Sequence, residues 1–253
     1  MTVLQVILVA LYYGFFSSQP FILLMGISTF GSIAGLIIGL IMGEPQTGVM
    51  IGAMIQVTYL GTVGYGGTRP FDQFLATSIM VPVAVATDMP ATLALALAMF
   101  FSALGGVLLD NPWKKINTNV WGPRIDKAVN DLNYGEIIRC SGLYPMLMRM
   151  LISCPFVILC IYAGTFGVNA FLEYAPQWLI DGLSNTGLFL PAMGFALFIT
   201  TYGRPAQIPF FLAGFFVMAF ADLPILGIAV FGGFLAYLSV LWTDNDLLKK
   251  KGA

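Results

Sequence analysis

The 253-residue chain contains no histidine, and only 9% of its residues are charged. The missing imidazole excludes a Ser-His-Asp triad, a His-ligated zinc and a phosphohistidine carried on this chain. The shortage of charge excludes a soluble fold. Soluble domains carry about 25% charged residues, and a chain that is 58% hydrophobic has too little left to make a polar coat. A net charge of −1 leaves no whole-chain field to attract nucleic acid. Cysteine is scarce too. Cys140, Cys154 and Cys160 lack CxxC spacing and read as small apolar packing residues. No run has metal-ligand spacing or a Walker-type loop, so neither a metal nor a cofactor is expected.

The position of the few charges is more informative than their number. Fourteen of the 23 lie in 110–139 and 244–251, while 89–109, 150–172, 182–203 and 223–243 are charge-free. A helix needs about 20 apolar residues to cross the hydrocarbon core, and each of these runs supplies them. Residues 20–42 and 46–62 add two candidates, and 3–16 a shorter one. The expectation is an all-α polytopic membrane protein with about 8–10 helical segments. Its first membrane half is 1–109, followed by a loop at 110–139, a second membrane half at 140–243 and a tail at 244–253. Basic residues mark the cytoplasmic side. Lys114, Lys115, Arg124, Lys127 and Arg139 put the central loop there, and Lys249, Lys250 and Lys251 put the tail there. Within the loop, RIDKAVNDL at 124–132 aligns Ile125, Val129 and Leu132 as a short surface helix. The N-terminus lacks a basic n-region, so no cleavable signal is expected.

Glycine and proline punctuate the apolar runs. Gly31, Gly35, Gly39 and Gly43 recur every four residues, as do Gly48 and Gly52, which predicts close helix packing through small residues. Two runs, 73–87 and 205–221, are too short to cross unaided and are expected to be re-entrant or broken. Both follow an Arg-Pro pair (Arg69-Pro70, Arg204-Pro205) and end at Asp-x-Pro, at Asp88 and Asp222. Upstream, Pro20 to Leu24 echoes Pro155 to Leu159, and Gly52 echoes Gly187. This pattern predicts an internal repeat of about 135 residues, an architecture that puts transporter sites on short or broken helices.

Polar residues in such a setting are functional candidates, since an ionisable group at mid-membrane costs roughly 2.5–3.5 kcal/mol. The densest stretch is GTVGYGGTRPFDQ at 61–73. Its four glycines in seven residues disfavour a continuous helix, and freed backbone at membrane depth requires a protein interior or a wet cavity. Thr68, Arg69, Asp72 and Gln73 could there meet a hydroxyl-rich ligand. Gln56 offers an amide that both donates and accepts. Ser184 and Asn185 are the second-half candidates. Tyr174 and Trp178 read as an interfacial anchor. No covalent catalytic machinery is visible. An intramembrane enzyme acting on lipid-borne substrates and a non-sugar channel or receptor subunit remain alternatives to a permease.

The stretch from Gly43 through Gly48 and Gly52, with Gln56, Leu60-Gly61, Asp72 and Leu75-Ala76, resembles the enzyme IIC component of the mannose/sorbose family. The resemblance continues through Asp126-Lys127-Ala128, Gly194-Phe195-Ala196, Pro209-Phe210-Phe211, Gly214-Phe215 and Gly227. It covers nearly the whole chain in order. These proteins are sugar permeases of the bacterial phosphoenolpyruvate-dependent phosphotransferase system. The resemblance implies an inner-membrane subunit that binds the sugar beside a IID partner, commonly as a trimer of IIC–IID pairs in which a core moves past a scaffold. Cytoplasmic IIA and IIB proteins would carry the phosphoryl group on their own histidines. Relatives often have Glu at the Gln56 position, and an Asn-Ile-Gly-Ala-type stretch where this chain has Tyr65 to Asp72. These departures bear on which sugar is bound, whether hexose, ketose or amino sugar.

Overall fold

The computed structural model describes residues 1–18, 30–62, 71–221 and 224–251, with side chains through 241. Thr68 and Arg69, and the Pro20 to Leu24 echo, lie outside the described residues. Among the described residues the chain is helical and contains no strand. Two units divide it: Met1–Phe198 and Ile199–Ala253.

The first unit contains α1 (Val3–Ser17), α2 (Gly31–Met42), α3 (Pro45–Thr58) and α4 (Gln73–Thr87). The longer α5 (Ala91–Asn130), α6 (Tyr134–Tyr174) and most of α7 (Gln177–Tyr202) follow. By length and composition, α5, α6 and α7 can each cross a membrane. α4 has 15 residues, about 22 Å of helix against a hydrocarbon core of about 30 Å, as expected for a run too short to cross unaided.

α2 and α3 form the hairpin that the glycine spacing predicts. Gly43, at φ +88°, closes α2 in the left-handed region that a side chain disfavours. A Cβ on Gly35 would collide with the Gly48 carbonyl, and one on Gly48 with the Gly35 carbonyl. Gly31 and Gly52 block each other in the same reciprocal way. The contact is backbone against backbone. Gln5 secures the open end of α2: its Nε2 donates to the Ile41 and Met42 carbonyls at 3.1 and 3.3 Å, groups that a helix C-terminus leaves unsatisfied.

α4 occupies the centre of this unit, against α1, α2, α3, α5 and α6. Every residue from Phe74 to Ala84 is buried, which explains why its sequence is apolar on all faces rather than striped. Asp88, at φ 50°, ends α4 in the left-handed region, and Pro90 precedes α5. Farther along, Gly187 and Gly194 let α7 cross closely over Thr92 of α5 and over Val57 and Thr58 of α3.

The stretch 110–139 was expected as a loop with a short surface helix; the helix is present at Gly122–Asn130, but it continues α5, and residues 134–139 begin α6. The two meet at residues 131–133, where Leu132 takes φ 51° and the Asn133 side chain accepts from Glu136 N at 3.1 Å. The helices run through Pro112, Pro123 and Pro145, although proline disfavours a helix interior. Before each lies a π-type turn: Gly106–Asp110, Asn117–Trp121 and Arg139–Leu143. Asn111, Gly122 and Tyr144, the residues preceding the prolines, donate five residues back to Gly106, Asn117 and Arg139. The wider turn shifts the hydrogen-bond register where the proline ring would otherwise meet the carbonyl of the preceding turn.

The second unit contains the end of α7, a 3-10 turn at Pro205–Gln207, α8 (Ile208–Ala221) and α9 (Ile225–Lys251). Phe210, Phe220 and Phe231 are each at least 70% exposed. Such a surface suits acyl chains, not water.

Replacing Gly48 with Ala is expected to lower the melting temperature of the detergent-purified protein, because overpacking of this kind costs about 1–3 kcal/mol. Gly167→Ala, where a Cβ meets nothing within 4 Å, leaves it unchanged. Equal melting temperatures for the two variants would contradict the backbone contact.

Candidate functional site

Asp72 opens α4 as its N-cap, and its Oδ1 accepts from Leu75 N at 3.0 Å, satisfying one of the amides that a helix start leaves open. Its other oxygen, Oδ2, accepts from the Tyr13 hydroxyl at 2.7 Å. Asp72 N donates to the Ser102 carbonyl on α5 at 3.4 Å. Gly105 makes room where α5 passes α4: a Cβ there would press on the end of the Leu75 side chain and stand 3.4 Å from Asp72 Cβ. Asp72 is 8% exposed and Tyr13 fully buried. A buried carboxylate requires donors of this kind, and α1 and α4 provide them.

Two buried hydroxyls face the same centre, and among the described residues neither makes a hydrogen bond of full geometry. Tyr59 follows α3, with its ring 5.5 Å from that of Phe71. Its hydroxyl lies close to that of Ser102. Neither meets hydrogen-bond geometry with any partner among the described residues, and both oxygens are buried. Leaving such a group unsatisfied costs about 1–3 kcal/mol, which a ligand with hydroxyl groups would offset. The Asp72 carboxylate also has acceptor capacity left, since its two oxygens offer about four lone-pair sites. The centre can therefore accept from a ligand hydroxyl at Asp72 and exchange hydrogen bonds with others at Tyr59 and Ser102.

A buried ion pair borders this centre. Arg149 Nη2 on α6 donates to Asp110 Oδ1 on α5 at 2.8 Å, with 6% and 12% of the two side chains exposed. The guanidinium lies 5.8 Å from the Trp113 ring centroid. Arg149 Nε has no partner among the described residues. Both charges are within electrostatic reach of Tyr13 and Asp72.

The expected polar residues divide. Asp72 and Gln73 sit together at the start of α4, where Gln73 is half-buried and its carbonyl accepts from Thr77 Oγ1 at 2.8 Å. Gln56 is one turn before Tyr59 but faces α2, where its Oε1 accepts from Ser32 N at 3.0 Å and Ser32 Oγ at 2.8 Å. It links two helices. Ser184 is half-buried and Asn185 exposed. They precede Gly194, the residue over Thr58, by nine or ten positions on α7, about 15 Å of helix. Among the described residues no group of three or more Cys, Asp or Glu gathers as a metal site.

Tyr13, Tyr59, Ser102 and the Asp110–Arg149 pair were not singled out from sequence. A lone Tyr or Ser in an apolar run gives no local signal. Arg149 did give one: it is the only basic residue between Arg139 and Arg204, and α6 carries it inside the helix.

Residues 3–238 match the family model of the sorbose-specific IIC component of the phosphotransferase system. The chain is 29% identical over 210 residues to the mannose-specific EIIC component of Escherichia coli strain K12, covering 82% of this chain and 77% of that one. It is 26% identical over 212 residues to the sorbose-specific EIIC component of Klebsiella pneumoniae, covering 83% and 77%. A solved membrane-protein structure superposes with a TM-score of 0.82 over 95% of this chain and 96% of that chain. At 23% identity that likeness concerns the fold alone.

Removing Asp110 alone, as Asp110→Ala, is expected to destabilise the protein by about 3–5 kcal/mol, because it strands a buried guanidinium. Replacing both charges, as Asp110→Leu with Arg149→Met, should recover most of that loss in thermal unfolding of the purified protein. A double variant no more stable than Asp110→Ala would argue against a buried, mutually compensating pair.

Proposed function

This chain belongs to the family of sorbose-specific IIC components of the phosphotransferase system, and from that premise we propose that it binds a sugar at the Asp72 centre and carries it across the bacterial cytoplasmic membrane. The observation that carries the assignment of the site is the buried carboxylate beside two adjacent hydroxyls, Tyr59 and Ser102, that lack a full-geometry partner among the described residues. A sugar presents several hydroxyls, each both donor and acceptor, and such a set matches them in kind. Gln73, Thr68 and Arg69 belong to the same stretch of chain and complete the proposed contacts. Gln56, Ser184 and Asn185 are peripheral to it.

The chemistry divides between subunits. With no histidine in the sequence, this chain is no phosphohistidine carrier. It is a permease subunit, and a partner IIB protein, recharged by IIA, phosphorylates the sugar at the cytoplasmic face. A IID subunit completes the membrane complex, as a trimer of IIC–IID pairs. The basic residues of 110–139 and the lysines of the C-terminal tail support a cytoplasmic position for both regions. The names of the relatives span an aldose and a ketose, mannose and sorbose, and the substrate of this chain is of that class.

Asp72→Asn retains an N-capping side chain but removes the charge. In cells producing the complete complex, it is expected to reduce uptake of radiolabelled sugar by more than about tenfold, the loss of one hydrogen bond to a charged group. Asp72→Ala abolishes uptake, while the amount of membrane-inserted complex stays near wild type. A panel of D-mannose, L-sorbose, D-fructose and N-acetyl-D-galactosamine identifies the substrate. Wild-type transport by Asp72→Ala would remove the site assignment, and a complex that binds no sugar would favour a channel or receptor subunit.

A further inference from the structure

We propose that Tyr13 is a positioning residue for sugar recognition: its hydroxyl fixes the plane of the Asp72 carboxylate and so determines which sugar hydroxyls that carboxylate can accept. The inference rests on the reading of Asp72 as the sugar's acceptor and adds a residue from a helix 59 positions away in sequence.

Leu75 N holds Oδ1 only, as the cap of α4. A carboxylate tied through one oxygen still turns about its terminal torsion, which is broad for Asp. The bond from Tyr13 to Oδ2 ties the second oxygen from a different helix and stops that rotation. Each oxygen then keeps about one free lone-pair direction, and both directions are set by the protein. The donor is itself immobilised. The Tyr13 ring is fully buried and packs on Phe74, with centroids 5.0 Å apart and planes inclined at 34°. Phe74 lies two residues beyond Asp72 on the same first turn of α4, so donor and acceptor are held by one rigid unit. Tyr12 meets the same Phe74 ring edge-on at 5.4 Å, which anchors α1 to this turn.

The hydroxyl adds little to packing, because the aromatic contacts belong to the ring. Its loss frees the carboxylate to spread its acceptor directions, a cost borne on sugar binding through lost preorganisation. Fixed acceptor geometry also discriminates between sugars whose hydroxyls differ in orientation. Tyr13 thus affects affinity and selectivity without touching the sugar.

The test compares Tyr13→Phe and Asp72→Asn in the complete membrane complex, with uptake kinetics measured for the same four radiolabelled sugars. Tyr13→Phe is expected to raise KM about tenfold, in line with one hydrogen bond to a charged group. Vmax should stay within about twofold, and the preference of the wild type among the four sugars should narrow. A Tyr13→Phe complex with wild-type KM and preference, alongside an inactive Asp72→Asn, overturns the role of Tyr13 and spares the site. Unchanged KM with a lowered Vmax, or loss of folded complex in both Tyr13→Phe and Tyr13→His, makes the hydroxyl structural and also overturns it. Wild-type uptake by Asp72→Asn, or no uptake of any of the four sugars by the wild type, removes the site and the inference together.

Discussion

A carboxylate with 8% of its surface exposed cannot be left to water, and the middle of the first unit is arranged around meeting that need at Asp72. α4 offers its own first-turn amide, α1 contributes a tyrosine hydroxyl, and α5 comes close enough for its Ser102 carbonyl to receive the Asp72 amide. The glycine at 105 leaves room there for the buried Leu75 side chain. Around this point, hydrophobic burial alone would not select a geometry, because lipid is as apolar as the helices themselves. Directional polar bonds and close glycine contacts define the arrangement instead.

The same constraint accounts for the position of the proposed site at one end of a short helix buried from Phe74 to Ala84. The start of α4 presents amides that require an acceptor, and an acidic N-cap supplies it. Once there, the acid has capacity to spare for a ligand. Tyr59 and Ser102 add two adjacent buried hydroxyls that lack a full-geometry partner among the described residues. Nearby, Arg149 and Asp110 neutralise each other across α5 and α6, so a buried cation borders the site without being bonded to Asp72.

How much of this was legible in the sequence depended on whether a signal was local. Charge-free runs identified the long apolar helices, and glycine at every fourth position identified the α2–α3 contact, because both are properties of neighbouring residues. The short run at 73–87 appears as α4, and Asp72 and Gln73 fall at its start as the polar stretch implied. Tyr13 was invisible, because its meaning comes from a residue 59 positions away. Asp110 and Arg149 gave no sign of being partners, since 39 residues separate them and only the fold pairs them. Residues 110–139 were legible in part: the short helix at Gly122–Asn130 followed from its apolar spacing, while the gathered charges suggested a loop where the helices in fact continue through π turns. Gln56 was expected at a ligand and is occupied at Ser32, a distinction that sequence spacing cannot express.

Those three widened turns have an evolutionary implication. A π turn is an α-helix with one residue added, and the widened turn takes up that residue instead of passing a rotation of about 100° along the helix. The turns at Asn117–Trp121 and Arg139–Leu143 are therefore places where a single-codon insertion or deletion can be absorbed locally, with the proline already positioned to tolerate the change. The helix on either side of such a turn would keep the face it presents. Relatives that share this core could thus differ in length there without altering any residue around Asp72.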